Sequence, residues 1–120
     1  VMQPGSSIIG ISSIASLRAA VRFAGYGAAK AGMNNLSQTL AIELAPKGIR
    51  SNIVSPGQVP TEATTRVGGV PPEKFSDLAA AIPLQRVGSP QDIAAAVLYL
   101  VSEAGSWVTG QNLIVDGGYT

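Results

Sequence analysis

Tyr26 and Lys30 are four residues apart at the beginning of a segment with helical character, YGAAKAGMNNLSQTLAIELA. Because positions i and i+4 of a helix lie on one face, about one turn apart, the phenol and the amine are expected to point into the same space. A cation beside a phenol favours the phenolate over a neutral form whose pKa is otherwise about 10. The spacing therefore predicts a tyrosine that can exchange a proton with an alcohol or a ketone near neutral pH.

Two serines, Ser12 and Ser13, end the β-like run SIIGIS, and Ser13 precedes Tyr26 by thirteen residues. A serine hydroxyl at a strand end could bind the same substrate oxygen as the tyrosine. Taken alone, Y-x-x-x-K is a common chance match, which leaves the alternative of a packed tyrosine and a solvated lysine. Ser13 could also simply cap or turn the chain after its strand.

The chain of 120 residues contains no cysteine and no histidine. This absence excludes disulfides, thiol nucleophiles, Ser-His-Asp triads and the usual zinc sites, so acid–base chemistry must come from Tyr, Lys, Asp or Glu, and no metal site is predicted. The net charge is +1 and the basic residues are scattered, which gives no footprint for nucleic acid or an anionic membrane. With short apolar stretches and no visible secretory signal, we expect a cytoplasmic protein.

Hydrophobic patterning predicts strands that alternate with helices. The predicted strands are residues 7–12, 49–54 and 112–116, and the predicted helices are residues 26–45, residues 73–81 and a segment that Ser89 caps. Buried strands that alternate with helices indicate an α/β fold with a parallel sheet. A sheet of three strands is thin, so we expect the chain to be part of something larger.

Apolar spacing within the helices predicts which sides face the core. On the first helix the predicted stripe is Met33, Leu36, Leu40 and Leu44, and small residues at positions 28–32 leave room for another backbone. On the last helix, Ser89, Pro90 and Asp92 predict a capping box. Its apolar side is predicted to consist of Ile93, Val97, Leu98, Leu100 and Val101.

Four segments in this order resemble the short-chain dehydrogenase/reductase family over essentially the whole chain. Ser12-Ser13 followed by Y-G-A-A-K is similar to the family's serine and Y-x-x-x-K signature, in which Ser13 aligns with the catalytic serine. N-I-V-S-P-G-Q-V-P-T (52–61) resembles the segment that closes over the nicotinamide. R-V-G-S-P-Q-D-I-A (86–94) and V-T-G-Q-N-L-I-V-D-G-G (108–118) are similar to the family's last helix and last strand.

The resemblance implies an α/β fold that forms the C-terminal part of a Rossmann-like doubly wound parallel sheet. Residues 1–120 would be the C-terminal half of a single NAD(P)-binding domain, without its N-terminal cofactor-binding half. The implied activity is that of an NAD(P)-dependent oxidoreductase that interconverts a secondary alcohol and a ketone by hydride transfer, with NAD or NADP as the cofactor. A homotetramer or dimer, built on the long helix and the last strand, is also implied.

The resemblance also implies individual roles. Tyr26 would be the general acid/base, Lys30 would favour its phenolate form and bind the nicotinamide ribose, and Ser13 would hold the substrate oxygen. Residues 61–82 would form the substrate lid. Cofactor contacts would come from Tyr26 and Lys30 and from four residues after the second strand, namely Pro56, Gly57, Val59 and Thr61.

Gly10 stands where the family commonly has asparagine, and Ser16 where it commonly has glycine. Thr61 could serve as an N-cap as well as a cofactor contact, while Asp116 and the Gly117-Gly118 pair are expected to be structural. The substrate stays open among 3-oxoacyl thioesters, steroid-like alcohols, sugars and small ketones. Two alternatives remain: an isolated 120-residue piece that is inactive because it is incomplete, or a non-catalytic scaffold with the same fold.

Overall fold

The computed structural model describes residues 2–67 and 69–120. In these residues, three strands and three α-helices follow one another in the order strand, helix, strand, helix, helix, strand. The strands are β1 (Ser7–Ile11), β2 (Arg50–Pro56) and β3 (Asn112–Val115), and the helices are α1 (Ala24–Leu44), α2 (Lys74–Ala80) and α3 (Pro90–Val101). Short 3₁₀ turns span Ile14–Ser16, Ala45–Lys47 and Glu103–Gly105, and a π-helical turn spans Ala63–Val67. Residue 68, inside the predicted lid, is outside the described residues.

The strands form one parallel sheet in the order β1-β2-β3. Ile11 pairs with Val54, and Pro56 pairs with Val115. The carboxyl ends of all three strands therefore lie along one edge of the sheet. The predicted α/β fold with a parallel sheet is confirmed, and the strand boundaries differ from the predicted ones by at most two residues.

The middle strand, β2, is the centre of the core, with every residue from Ser51 to Ser55 buried. It is paired on both edges, which satisfies its backbone groups. Its buried polar side chains are also hydrogen-bonded: Asn52 Nδ2 to the Val108 carbonyl, Asn52 Oδ1 to the Gln111 N–H, Ser55 Oγ to Asn112 Oδ1, and Ser51 Oγ to Ser37 Oγ.

Helices α1 and α3 cover opposite faces of the sheet. Ser51 Oγ lies 2.9 Å from Ser37 Oγ of α1, whereas Arg50 Nη1 donates to the Leu100 carbonyl of α3 at 2.6 Å. Because successive residues of a strand point to opposite faces, the two helices must lie on opposite sides. Within residues 2–67 and 69–120, no helix combines the length and apolar character that a membrane crossing needs.

The inward face of α1 agrees in part with the predicted stripe, since Met33, Leu40 and Leu44 are half-buried. Ser37 and Ala41 are the buried residues of the helix, and Leu36 is 57% exposed, so its predicted core position is wrong. The helix approaches the sheet through small side chains: a Cβ on Gly110 would lie 3.4 Å from the Ala41 methyl. Leucine spacing misled the prediction because close packing placed a serine and an alanine inward.

The last helix begins as predicted, but part of its apolar side faces outward. The Ser89–Asp92 capping box forms, with Pro90 in the first turn. Leu100 is buried, whereas Leu98 and Val101 are exposed, which corrects their predicted core positions. Trp107 is 98% exposed and is therefore not a core residue.

Candidate active site

The first turns of α1 present Tyr26 and Lys30 on one side, as their spacing predicts. The helix begins at Ala24, two residues earlier than predicted, and the Gly27 N–H donates to the Phe23 carbonyl at 2.6 Å. Lys30 Nζ lies 5.6 Å from the centroid of the Tyr26 ring. Tyr26 is 46% exposed, so its phenol is accessible to a ligand.

Lys30 also fastens α1 to the end of β1. Its Nζ donates to the Ile11 carbonyl at 2.8 Å, and its own carbonyl accepts a hydrogen bond from Ser12 Oγ at 3.2 Å. These two bonds fix both the backbone and the amine of Lys30 beside the residue that precedes Ser13. An ammonium group has three donors, so two remain for a ligand.

The two serines have different tasks. Ser12 is 4% exposed, and its hydroxyl is used in the bond to α1. Ser13 is half-buried, and its Oγ accepts the Ala15 N–H at 3.2 Å as the N-cap of the 3₁₀ turn Ile14–Ser16. Capping uses only an acceptor position, so the Ser13 hydroxyl proton is still available to a substrate oxygen.

A glycine brings the turn after Ser13 into contact with the start of α1. A Cβ on Gly27 would lie 2.8 Å from the Ala15 carbonyl oxygen, which is closer than real Cβ atoms come. The close approach predicted for the small residues is therefore at Gly27. At Gly32 an added Cβ would have no atom within 4 Å, and Ala28, Ala29 and Ala31 are exposed.

Ser16 strengthens the same contact. Its hydroxyl donates to the Ser13 carbonyl at 2.6 Å and accepts from Asn34 Nδ2 of α1 at 2.8 Å. Gly10 also has a packing reason, because a Cβ there would lie 2.6 Å from Ile53 Cδ1. Both departures from the family's common residues thus fit their surroundings.

The predicted cofactor segment follows β2 at the same edge of the sheet. The Gly57 N–H donates to the Val115 carbonyl at 2.9 Å, and a Cβ on Gly57 would lie 2.5 Å from Asp116 Cβ. Pro56 and Gly57 therefore lie directly against the end of β3. Because β1 and β2 are adjacent and parallel, Ser13 and Pro56 follow neighbouring strand ends.

Val59 is less accessible to a ligand than Tyr26, whereas Thr61 is exposed. Val59 is 7% exposed, and its Cγ2 would lie 3.0 Å from a Cβ on Gly88, so only its backbone could contact a cofactor. Thr61 Oγ1 accepts the Thr64 N–H at 3.2 Å, and its N–H donates to Thr64 Oγ1 at 2.7 Å. Thr61 therefore caps the turn Ala63–Val67, which confirms its N-cap role.

The residues just before α3 contact the predicted cofactor segment that follows β2. The Gly88 N–H donates to the Gln58 carbonyl at 2.8 Å, and Arg86 binds Asp92 through two bonds of 2.8 and 2.9 Å. The bonds from Arg86, followed by those from Ser89, lower the pKa of Asp92 well below its usual range. Across the described part of the chain, no three His, Cys, Asp or Glu side chains are grouped to hold a metal ion.

The family model described as Enoyl-(Acyl carrier protein) reductase matches residues 1–120. The chain belongs to the short-chain dehydrogenase/reductase family. The structural likeness agrees: a glucose/ribitol dehydrogenase of this family from Brucella melitensis superposes with a TM-score of 0.90 at 37% identity, over 99% of this chain and 47% of that one.

Two curated relatives of this short-chain dehydrogenase/reductase chain are longer proteins. It is 41% identical over 116 residues to 7alpha-hydroxysteroid dehydrogenase of Paraclostridium sordellii, over 96% of this chain and 43% of that protein. It is 50% identical over 101 residues to a peroxisomal 2,4-dienoyl-CoA reductase of Saccharomyces cerevisiae, over 82% of this chain and 34% of that protein. The chain thus spans less than half the length of these relatives.

Two structural relatives were solved with nicotinamide cofactors. One is the active-site complex of Pseudomonas aeruginosa RhlG with NADP, with a TM-score of 0.82 and 33% identity over 94% of this chain and 46% of that one. The other is 4-hydroxyisoleucine dehydrogenase with NADH, with a TM-score of 0.85 and 33% identity over 95% of this chain and 46% of that one.

Sequence reasoning missed three residues of the short-chain dehydrogenase/reductase chain that build the junction between the end of β1 and the start of α1. Ser12 was grouped with Ser13, although its hydroxyl is used for bonding to α1. Gly27, inside Y-G-A-A-K, could have been singled out as a glycine within a helix, because glycine there costs conformational entropy and so indicates a close approach that excludes a Cβ. Arg18 has no local signal, because its contacts are with the far end of the chain.

Proposed function

We propose that this chain supplies the catalytic groups of an NAD(P)-dependent oxidoreductase that interconverts a secondary alcohol and a ketone. The observation that carries the proposal is the amine of Lys30, which lies 5.6 Å from the exposed Tyr26 ring and is bonded to the carbonyl of Ile11, two residues before Ser13. A phenol, an amine and a hydroxyl are thereby held at one edge of a parallel sheet, where ligands of open α/β sheets bind.

Each of the three groups has a separate task in the proposal. Tyr26 gives a proton to the carbonyl oxygen when a ketone is reduced and takes it back when an alcohol is oxidised. Ser13 donates its free hydroxyl proton to the same oxygen and stabilises the charge that develops there. Lys30 places its amine beside Tyr26 and directs two remaining N–H groups at ligand hydroxyls.

The residues after β2 fit the nicotinamide part of a cofactor. Pro56 and Gly57 add no charged or bulky side chain to the sheet edge beside Ser13. Lys30 offers donors suited to ribose hydroxyls, Val59 offers backbone groups, and Thr61 lies at the head of the following turn. The nicotinamide ring, when bound, supplies or accepts the hydride.

Replacing Tyr26 by phenylalanine tests the proposal. Turnover is followed with NADH and NADPH on a 3-oxoacyl thioester, a 7-oxosteroid, a keto sugar and a small ketone, in the full-length protein that carries this chain. We expect Tyr26→Phe to lose at least about 100-fold in kcat, while Tyr99→Phe, an equally exposed tyrosine on α3, stays near the parent value. Activity of Tyr26→Phe within tenfold of the parent would overturn the role of Tyr26.

A second candidate is a chain that folds but is incomplete for catalysis by itself. It is favoured by the match to only 43% of the hydroxysteroid dehydrogenase. We propose that residues 1–120 act as one half of a single NAD(P)-binding domain and that the isolated chain binds the cofactor weakly. Calorimetric titration of the 120-residue chain with NADH and NADPH decides this, because submicromolar binding would show that these residues suffice.

We further propose a homo-oligomer, a dimer or a tetramer, as the working form. Helix α1 exposes its small residues Ala28, Ala29 and Ala31 together with Leu36 and Ile42, which suits pairing with an identical helix. Light scattering of the intact protein measures the mass directly, and a monomer at working concentration would refute the proposal.

A further inference from the structure

The last five residues, 116–120, fold into a closed turn that we call the C-terminal turn. Asp116 Oδ1 accepts the Gly118 N–H at 2.8 Å, and its Oδ2 accepts the N–H and the hydroxyl of Thr120 at 2.8 and 2.7 Å. Gly117 and Gly118 have φ angles of 67° and 88°, which favour glycine. Burial opposes ionisation of Asp116, but these bonds outweigh it and lower its pKa.

The C-terminal turn contacts two segments that border the candidate site. A Cβ on Gly57 would lie 2.5 Å from Asp116 Cβ, which places the turn against the predicted cofactor segment. A Cβ on Gly117 would lie 2.6 Å from Ile82 Cγ2, and the Leu84 N–H donates to the Gly117 carbonyl at 3.2 Å. The turn therefore also abuts the end of the predicted lid.

A third contact reaches the connection between Ser13 and Tyr26. Arg18 Nη1 donates to the Tyr119 carbonyl at 3.3 Å, and the Arg18 guanidinium lies 5.1 Å from the centroid of the Tyr119 ring. A guanidinium over a tyrosine ring is attractive, and it adds to the hydrogen bond. These two contacts join residues 101 positions apart in the sequence.

Arg18 is attached to the turn on which both predicted catalytic groups depend. Its N–H donates to the Ile14 carbonyl at 3.0 Å, within the 3₁₀ turn that Ser13 caps. The Ala15 carbonyl of that turn lies against Gly27, next to Tyr26. These contacts connect Arg18 to Ser13 through the capped turn and to the residue beside Tyr26 through Gly27.

We propose that the C-terminal turn positions the candidate active site and that Arg18, held by Tyr119, is the positioning residue that sets Ser13 against Tyr26. This inference rests on the proposed function for its kinetic consequence, but not for its structural one. Arg18 is not a catalytic residue here, since its guanidinium is engaged with Tyr119. Misplacement of catalytic groups by about 1 Å can cost on the order of 100-fold in rate.

Hydrogen exchange of the full-length protein tests the structural consequence. Arg18→Leu and Tyr119→Leu are expected to speed exchange in peptides covering residues 12–30 by about tenfold, with no change in peptides of α3. Tyr119→Phe keeps both the ring and the carbonyl and should match the parent. Lys47→Leu, which removes an exposed cation at the opposite end of α1, should match it too.

Kinetics on the substrate that the parent turns over test the functional consequence. Arg18→Leu should lower kcat about tenfold while KM for the cofactor changes less than about twofold, because orientation rather than binding is lost. Arg18→Lys, which keeps a cation and a donor, should recover most of the rate. The double variant Arg18→Leu with Tyr119→Leu should be no slower than either single variant.

The possible outcomes separate the two proposals. Unchanged exchange in residues 12–30 of both leucine variants would overturn the positioning role, whether or not the parent is active. A faster exchange in an inactive parent background would support positioning and count against the proposed function alone. Equal harm from Tyr119→Phe and Tyr119→Leu would overturn the part played by the tyrosine ring.

Discussion

The corner formed by residues 11–30 and the segment formed by residues 58–67 are held in different ways. In the corner, bonds join distant parts of the chain: Lys30 binds the Ile11 carbonyl, and Ser12 binds the Lys30 carbonyl. In the segment, side-chain bonds join near neighbours, as between Thr61 and Thr64. The proposed catalytic groups thus belong to a strand–helix junction. The side-chain bonds of residues 58–67 are local, and the Gly88 N–H bond to the Gln58 carbonyl joins this segment to the start of α3.

Removing the amine of Lys30 should have the largest effect, because it acts on both the chemistry and the junction. Lys30→Met is expected to reduce kcat at least about 100-fold. It also leaves the Ile11 carbonyl without its donor, so the melting temperature should fall. Turnover and thermal unfolding of the full-length protein measure the two losses. Lys74→Met at the start of α2 is the control. Equal effects of the two substitutions would contradict the role of Lys30 in joining α1 to the end of β1.

Adding one methyl group at Gly27 should disrupt the contact between the start of α1 and the 3₁₀ turn that follows Ser13. Gly27→Ala places a Cβ 2.8 Å from the Ala15 carbonyl, and we expect the free energy of unfolding to fall by about 1–2 kcal/mol. Gly32→Ala is the matched control in the same helix, where an added Cβ meets nothing within 4 Å. That substitution should stabilise by about 0.5–1 kcal/mol, because alanine favours helix. Denaturant unfolding compares them, and effects of the same sign would refute the contact.

The capping box at the start of α3 should make stability depend on pH. The folded-state pKa of Asp92 is lowered by Arg86 and Ser89, so its stabilising effect is complete above its unfolded pKa of about 3.9. That stabilisation is lost as the pH falls from about 4 through the folded-state pKa. Below about pH 4, the free energy of unfolding should therefore fall less steeply with pH in Asp92→Asn than in the parent. Equal slopes would argue against a stabilising Ser89–Asp92 capping box. Ser89→Ala should cost about 1 kcal/mol at neutral pH.

The smallest effect is expected from the exposed ion pair between Glu62 and Arg66. Glu62 and Arg66 are one helical turn apart and both largely exposed, so Glu62→Ala should change the free energy of unfolding by less than about 0.5 kcal/mol. Denaturant unfolding at low and high salt measures this value. A loss as large as that of Gly27→Ala would show that this ion pair contributes more than an exposed surface pair does.

The features that could be predicted from the sequence are those carried by short spacings. Tyr26 and Lys30 share a helical face because they are four residues apart, and the Ser89–Asp92 box follows from residues three apart. The alternating strands and helices also follow from local patterning. The roles of Ser13, Tyr26 and Lys30 in catalysis stay predictions.

The features that could not be predicted depend on partners far along the chain. Arg18 contacts Tyr119 across 101 positions, and nothing near Arg18 announces this. On α1 the position of Leu36 was misjudged. Ser37 is buried and hydrogen-bonded to Ser51, while the more hydrophobic Leu36 faces outward. Hydrophobic spacing considers only the type of each side chain, so it cannot reveal that two polar side chains are hydrogen-bonded to each other inside the core.

The polar side chains inside β2 have a consequence for how the sheet assembles. Ser51, Asn52 and Ser55 are buried, and their side chains are hydrogen-bonded to particular groups on α1 or on the chain around β3. If β2 slipped by one residue against its neighbours, these groups would lose their partners and remain out of water, at a cost of about 1–3 kcal/mol each. A purely aliphatic strand would tolerate misalignment far better. The buried polar groups of β2 therefore favour the native register over registers in which the strands are wrongly aligned.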